Sequence, residues 1–427
     1  MKNRISVPAW IPSYGILLFT VFAAAAIPFV HEKSLLFLGV LILDLIFCLL
    51  NRKYFSYSAV VIARTLVGAL FVFSGFSKGV DPLGTTYVIH DYLEAYNLPW
   101  LTGLSLLGSF MLNLVEFTVG VFLICNVRFK WTVRVAALMM VFFTATTWYD
   151  AVANPVPDCG CFGKALVMTN WQTFYKNLVL DACLLILLFS QNIIKSHKRK
   201  SVDWTIAVAT VVVFLGFETY NYRYLPVVNF LDWKEGERLF PENPLPVAHY
   251  LTYRDEVTGE EKEYAMDECP FSDPEWTARW TFVSRRDFDP NIRTANINIL
   301  EKFDDEDPGM DITRRLLTGE GFLFLVAVYD LDASSKAGME KTAAFVKRMQ
   351  EAGYESCFLT ASSVAEAENF KNAYGLSDFT FYYADDTSIK AVIRSNPGIV
   401  LLKNARVLKL WDWRRLPSPE DVDFASF

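Results

Sequence analysis

Apolar and polar positions divide this 427-residue chain into two halves of different character. In the first, apolar stretches cover residues 11–30, 35–50, 59–77, 101–125, 131–152, 171–190 and 203–220. A helix rises about 1.5 Å per residue, so about 20 apolar residues cross the roughly 30 Å hydrocarbon layer of a bilayer. The pattern predicts seven membrane-spanning helices. Beyond residue 221 the pattern changes. "FPENPLPV" reads as a proline-bearing linker, and "VAHYLTYRDEVTGEEKEYAM" as a hairpin turning at Thr258 and Gly259. The buried strand "GFLFLVAVYDL" then leads to a helix over 333–352, a strand over 356–360 and a helix over 364–374. A strand over 379–383, a short helix near Ser388 and a strand pair turning at Asn404 and Ala405 complete the order.

Composition agrees: 53% of residues are hydrophobic and mean hydropathy is +0.25, too apolar for an ordinary soluble enzyme of this length. Basic residues in short loops favour the cytoplasmic side. Lys2 and Arg4, then Arg52 and Lys53, then Arg128 and Lys130, then Lys195, Lys198, Arg199 and Lys200 all fall on one side of the seven-span arrangement. The alternate loops carry Asp81, Asp91, Glu94 and Asp158. This predicts a multi-pass membrane protein with its N-terminus inside and its C-terminal region outside, which for a bacterial cytoplasmic membrane is the periplasm. The first stretch, with "AAAA" at 23–26, also fits a cleavable signal sequence. The net charge of −7 says little about nucleic acid, and with no basic patch beyond those loops a nucleic-acid partner has no support.

The topology sorts the seven cysteines. Cys48, Cys125 and Cys183 read as small apolar residues in helices. Cys269 and Cys357 stand on the oxidising side, where a bridge between them is open but not indicated by spacing. Cys159 and Cys161 differ, because "DCGC" places two thiols one residue apart in an outer loop. Gly160 makes the sharp bend accessible, and a disulfide in so small a ring would be strained and exchange readily. Lys164 and Lys78 would favour a thiolate there and Asp158 would oppose it. The bland alternative is a tight proline and glycine turn with inert cysteines. Metal binding lacks ligands, since only His90 among the histidines lies nearby on that side.

Ionisable groups inside spans are costly and suggest pairing or function. Depth measured from the span ends places Arg64 and Glu116 within about 5 Å of one level, so a buried pair is feasible, either fixing helix packing or forming a proton or quinone site. Asp181 lies mid-span and needs a partner. Gly68, Gly75, Gly103, Gly108 and Gly120 would let helices approach closely. The 79–100 segment is too polar to span, and its Tyr87, Tyr92 and Tyr96 read as interfacial anchors.

Together, "RTLVGALFVFSGFSKGVDPLG", "NLVEFTVGVFLI" and "NPVPDCGCFGKALVMTNWQTFYKN" resemble the MauE/DoxX group of redox-associated membrane proteins. The matching positions are Arg64, Gly75, Lys78, Asp81, Glu116, Asp158, Cys159, Gly160, Cys161, Phe162 and Gly163. The resemblance implies a four-helix core over 59–190 and thiol chemistry at the outer face. It leaves two N-terminal spans in 1–58, a basic loop and seventh span in 191–221, a linker and hairpin region in 222–317, and a final domain in 318–427. The element order of that domain resembles an α/β thioredoxin fold, with Pro397 at the cis-proline position. Where thioredoxins carry CxxC, this chain has "DLDASSKAG", so Ser334 and Ser335 cannot exchange disulfides.

Two readings follow. In one, Cys159 and Cys161 cycle between dithiol and disulfide, a quinone near Arg64 and Glu116 accepts electrons, and the tail holds a periplasmic client or a thioredoxin-like partner. In the other, the protein is a non-enzymatic scaffold, the loop is structural, and the degenerate tail recruits an envelope partner. A transporter using Asp181 lacks the internal repeat common in such folds.

Overall fold

The computed structural model describes residues 20, 23–30, 34–50, 55–156, 160–194, 199–241, 246, 248–288, 295–302 and 310–426. The chain forms two compact units, Met1–Asn229 and Phe230–Phe427.

Among the described residues the first unit is helical: α1 Leu35–Leu50, α2 Tyr57–Val80, α3 Pro82–Ala95, α4 Ser105–Ile124, α5 Phe129–Ala153, α6 Asn170–Phe189 and α7 Lys200–Arg223. Among the described residues five helices are long and apolar enough to cross a membrane: α2, α4 with the 3-10 turn before it, α5, α6 and α7. The stretch at 35–50 forms the apolar 16-residue α1, and most of the stretch at 11–30 lies outside the described residues. The protein is a multi-pass membrane protein. Local chemistry sets the helix starts. The Ser56 hydroxyl accepts the Ala59 N–H at 3.3 Å to begin α2, and a Thr169 and Gln172 capping box begins α6. The polar 79–100 segment contains α3, which starts with Pro82 at its first position and the Asp81 carboxylate accepting the Gly84 N–H at 2.9 Å.

Helices α2 and α4 cross at glycines. A Cβ on Gly75 would stand 2.6 Å from the Phe117 nitrogen, and one on Gly120 would stand 2.5 Å from the Val72 nitrogen. No larger residue fits, so these glycines set how near the two backbones come. Gly68 is similarly enclosed, with its Cβ position 2.8 Å from Ile124. Gly103 has nothing within 4 Å and Gly108 meets only Ile89 at ordinary contact, so neither joins the crossing. Val67, Phe71, Leu123, Met140, Cys183 and Leu187 are buried in the core that α2, α4, α5 and α6 share.

The second unit has two sheets. Strands β1 Ala248–Asp255 and β2 Glu261–Ala265 form the expected hairpin. The short helix α8 Pro274–Arg279 leads to β3 Trp280–Phe288, giving an antiparallel sheet of order β2-β1-β3. Gly259 takes φ +73° in the hairpin turn, a conformation that costs glycine little. Asp255 anchors that turn, accepting from Val257 N–H at 2.9 Å, the Thr258 hydroxyl at 2.8 Å and Arg279 Nε at 2.8 Å.

The second sheet follows α9 Thr313–Leu317. It uses β4 Leu323–Val328, β5 Glu355–Thr360, β6 Thr380–Tyr383, β7 Gly398–Lys403 and β8 Arg406–Asp412, in the order β6-β5-β4-β7-β8. Strands β4, β5 and β6 run parallel, while β7 and β8 alternate antiparallel. Every residue of β4 is buried, as its unbroken apolar run requires of a central strand. Helices α10 Lys336–Glu351, α11 Val364–Tyr374 and α12 Asp386–Val392 make the crossovers. Asn404 and Ala405 both take positive φ in the β7 to β8 turn, as a two-residue primed turn demands. The Asn396–Pro397 peptide is cis.

Two outcomes test this packing. Gly120→Val should cost about 1–3 kcal/mol through overpacking, read as a lower unfolding midpoint in detergent, whereas Gly103→Ala should be neutral. The Arg279 guanidinium, helped by Val257 and Thr258, holds the Asp255 carboxyl well below the usual carboxylate range. A lowered folded-state value adds stability that is full above an unfolded aspartate's value of about 4 and is lost as pH falls through the folded one. Hydrogen exchange of β1 to β3 in the full-length protein, corrected for intrinsic rates, should therefore speed up on acidification. Asp255→Asn should flatten that dependence.

Candidate functional site

The last turns of α2 place Ser74 and Lys78 four residues apart on one face, toward Glu116 of α4. Lys78 Nζ donates to Glu116 Oε1 at 2.6 Å. The Ser74 hydroxyl lies 2.7 Å from Glu116 Oε2 and 2.8 Å from the carbonyl oxygen of Cys161. Lys78 and Glu116 are only 5% and 2% exposed, so water does not screen the pair. One hydroxyl proton faces two acceptors, so Ser74 ties the cysteine loop to a buried ion pair.

The loop is built for close approach. Gly160 has φ +62°, and a Cβ there would come within 3.1 Å of Val88 on α3. Gly163, at φ +53°, donates its N–H to the Gly160 carbonyl at 2.9 Å and closes the turn. Phe162 is buried, with its ring 5.3 Å from that of Phe73 and Lys176 Nζ 4.5 Å above it. Cys159 and Asp158 lie outside the described residues.

Ser74, Lys78, Glu116 and the backbone of Gly160 and Cys161 form one side of a cavity of about 400 Å³. Val88, Ile89 and Leu93 of α3, Met140 and Phe143 of α5 and Leu180 of α6 supply apolar walls, and Tyr92, Asn177 and Lys176 add polar groups. Apolar walls with a few convergent polar groups describe a small-molecule site.

The expected pairing of Arg64 with Glu116 is replaced by that of Lys78. Gly68 packs against Gly120, Leu123 and Ile124, so Arg64, one turn earlier, comes level with the end of α4. Lys78 stands nearly four turns further along, about 21 Å away. Depth from the helix ends misplaced the partner because the glycine crossing, rather than equal depth, sets the register. The Arg64 Nε is buried without a hydrogen-bond partner among the described residues.

Asp181 has a partner, the Thr144 hydroxyl at 2.8 Å, and lies in an open groove with Val141, Trp148 and Leu184 rather than in the cavity. Lys164 is exposed and does not line the cavity; Lys176, which sequence reasoning passed over, does. Tyr92, read as an anchor, lines the cavity and donates its hydroxyl to Asp150 Oδ2 at 2.6 Å. The signal for it was present, since Tyr92 lies between cavity-lining Ile89 and Tyr96 at helical spacing.

Thiols elsewhere are poor exchangers. Cys269 and Cys357 are buried and unpaired, so the bridge left open between them is absent. Burial pushes both thiols up, away from the thiolate form. Ser334 donates to the Leu331 carbonyl at 2.7 Å and Ser335 caps α10 by accepting the Gly338 N–H at 3.2 Å, so both serines serve the helix start.

Residues 56–190 match the family model of the methylamine utilisation protein MauE. The MauE match spans α2 to α6 with the cysteine loop and the cavity, and it leaves α1, α7 and the α/β unit outside. No curated protein and no solved structure matches the chain.

Breaking a buried ion pair by removing one partner costs about 3–5 kcal/mol, because the other charge is left uncompensated. Lys78→Met should lower the detergent unfolding midpoint accordingly. A Lys78→Met, Glu116→Leu double variant should recover most of the loss.

Proposed function

We propose that this protein is a membrane thiol–disulfide exchange protein in which Cys159 and Cys161 form the exchanging pair at the extracytoplasmic face. The observation that carries this reading is the Ser74 link from the Cys161 carbonyl to the Lys78 and Glu116 pair on the wall of an apolar cavity. A structural turn has no need of a buried ion pair beneath it, whereas a redox loop gains a fixed position over a site that excludes water. The side assignment rests on the distribution of lysine and arginine in the loops.

In exchange, the thiolate of one cysteine attacks a client disulfide and forms a mixed disulfide. The other cysteine attacks that bond, which leaves the client as a dithiol and the pair oxidised; the reverse sequence oxidises a client. A membrane-soluble quinone suits the cavity as electron acceptor. Its ring matches the apolar walls, and the Lys78 ammonium, with three hydrogens, offers a donor to a carbonyl oxygen beside its bond to Glu116. This moves the quinone site from Arg64 to Lys78 and Glu116. The α/β tail, with its parallel β4 and β5, antiparallel β7 and β8 and cis Pro397, is read as a thioredoxin-like module that binds a client or a partner oxidoreductase.

The second reading, a non-enzymatic scaffold, is favoured by one observation: where the thioredoxin-like reading would put a thiol pair, Ser334 donates to the Leu331 carbonyl and Ser335 caps α10. Alkylation and mass spectrometry separate the two. Exchange requires Cys159 and Cys161 to change state with oxidants and reductants, and the Cys161→Ser variant to accumulate mixed disulfides. A pair locked in one state, with a double serine variant that oxidises clients at the wild-type level, would leave the scaffold standing.

A further inference from the structure

Helix α7 lies outside the MauE match and packs on the same end of α2 and α4 as the ion pair. Phe214 stacks on Phe117 at 4.3 Å between ring centroids, and Phe217 stacks on Phe76 at 5.3 Å. One turn from these rings sits Glu218, completely buried. The Asn113 side-chain amide of α4, also completely buried, donates from Nδ2 to Glu218 Oε1 at 2.8 Å. The same Nδ2 lies 3.4 Å from the Ser109 hydroxyl, which accounts for its second hydrogen.

The other two atoms of the pair are Glu218 Oε2 and Asn113 Oδ1. Both are buried, and neither has a hydrogen-bond partner among the described residues. Two acceptors of one side-chain pair are thus left without a donor, a situation native interiors avoid. A single hydrogen resolves it. On a carboxylic acid, Oε2–H donates to Asn113 Oδ1, and both orphaned atoms are satisfied at once. Exchanging the amide oxygen and nitrogen leads to the same result, because the pair is symmetric in its need for one proton.

Charge points the same way. Glu116, one turn along α4, is compensated by Lys78, whereas Glu218 forms no ion pair among the described residues. On α3, the other helix packed here, His90 is half-buried and Asp91 and Glu94 are exposed. An ionised carboxylate with no cation in a low-dielectric interior is strongly disfavoured against its neutral form.

We infer that Glu218 and Asn113 form a proton-binding site inside the membrane unit, in which Glu218 is a neutral carboxylic acid joined to the Asn113 amide by two hydrogen bonds. The site is independent of the thiol-exchange reading. Its proton fastens α7 to α4, and without it Oε2 and Oδ1 oppose each other as acceptors. Asn221, one turn further on α7, donates to the Gly79 carbonyl at 3.1 Å, next to Lys78. Proton binding at Glu218 is thereby placed one turn from the wall of the cavity.

Infrared difference spectroscopy on the full-length protein in phosphatidylcholine and phosphatidylglycerol vesicles, with carbon-13 glutamate, tests this. At neutral pH a glutamate carboxylic-acid carbonyl band is expected. It should shift in heavy water, disappear in Glu218→Gln, remain in Glu116→Gln and move in Asn113→Ala. Absence of the band at neutral pH in the wild type overturns the proposal, as does a band that survives Glu218→Gln. A band that appears only when sodium is removed also overturns it, since the carboxylate would then hold a cation. Should Glu218→Gln not fold, the wild-type band and its response to Asn113→Ala still decide.

Discussion

A lysine and a glutamate removed from water must neutralise each other, and the placing of Lys78 against Glu116 governs much of what surrounds it. The pair joins α2 to α4 at the end where the cysteine loop returns. It gives Ser74 an acceptor on one side and leaves the same hydroxyl within reach of the Cys161 carbonyl on the other. Buried ion pairs contribute little net stability but define geometry well, because any misalignment leaves a charge without compensation. The cavity inherits that definition: its polar side is a set of groups whose positions are over-determined, and its other walls are side chains that any membrane helix would supply.

The pair in turn depends on backbone proximity. Lys78 and Glu116 meet at 2.6 Å because Gly68, Gly75 and Gly120 let the two helices approach until main chain touches main chain. Lipid offers no hydrophobic drive for helix association, so close packing and internal polar contacts carry it. Three other carboxylates within the helices follow a softer rule. Asp150 is held by Tyr92, Asp181 by Thr144 and Glu218 by Asn113, each a neutral hydrogen-bond donor rather than a cation. Glu116 instead faces a lysine, and it lies beside the cysteine loop.

The α/β unit shows the opposite economy. Its central strand β4 is apolar throughout, its helices are capped by serines and aspartates, and its two cysteines are buried where reactivity is suppressed. The start of α10 uses Ser335 as a cap. Under the proposed function this unit binds and positions a partner, and the redox chemistry belongs to the loop at Cys159 and Cys161.

Much of this was legible in the chain itself. Long apolar runs determined that helices cross a membrane, alternating and continuous apolar runs determined the strands, and Thr258 with Gly259 and Asn404 with Ala405 marked both hairpin turns. These are local properties, set by periodicity and by which backbone angles a residue tolerates. The residue types of the site were visible as well: Lys78, Glu116, Gly160, Cys161 and Phe162 all stood out. What the chain alone left undecided was partnership. Depth along separate helices paired Glu116 with Arg64, left Asp181 without a partner, and gave no notice of Lys176, Asp150 or the Asn113 and Glu218 pair. Only the tertiary structure decided these, because side-chain contacts between helices depend on register and crossing distance, and three glycines with no side chains of their own set both.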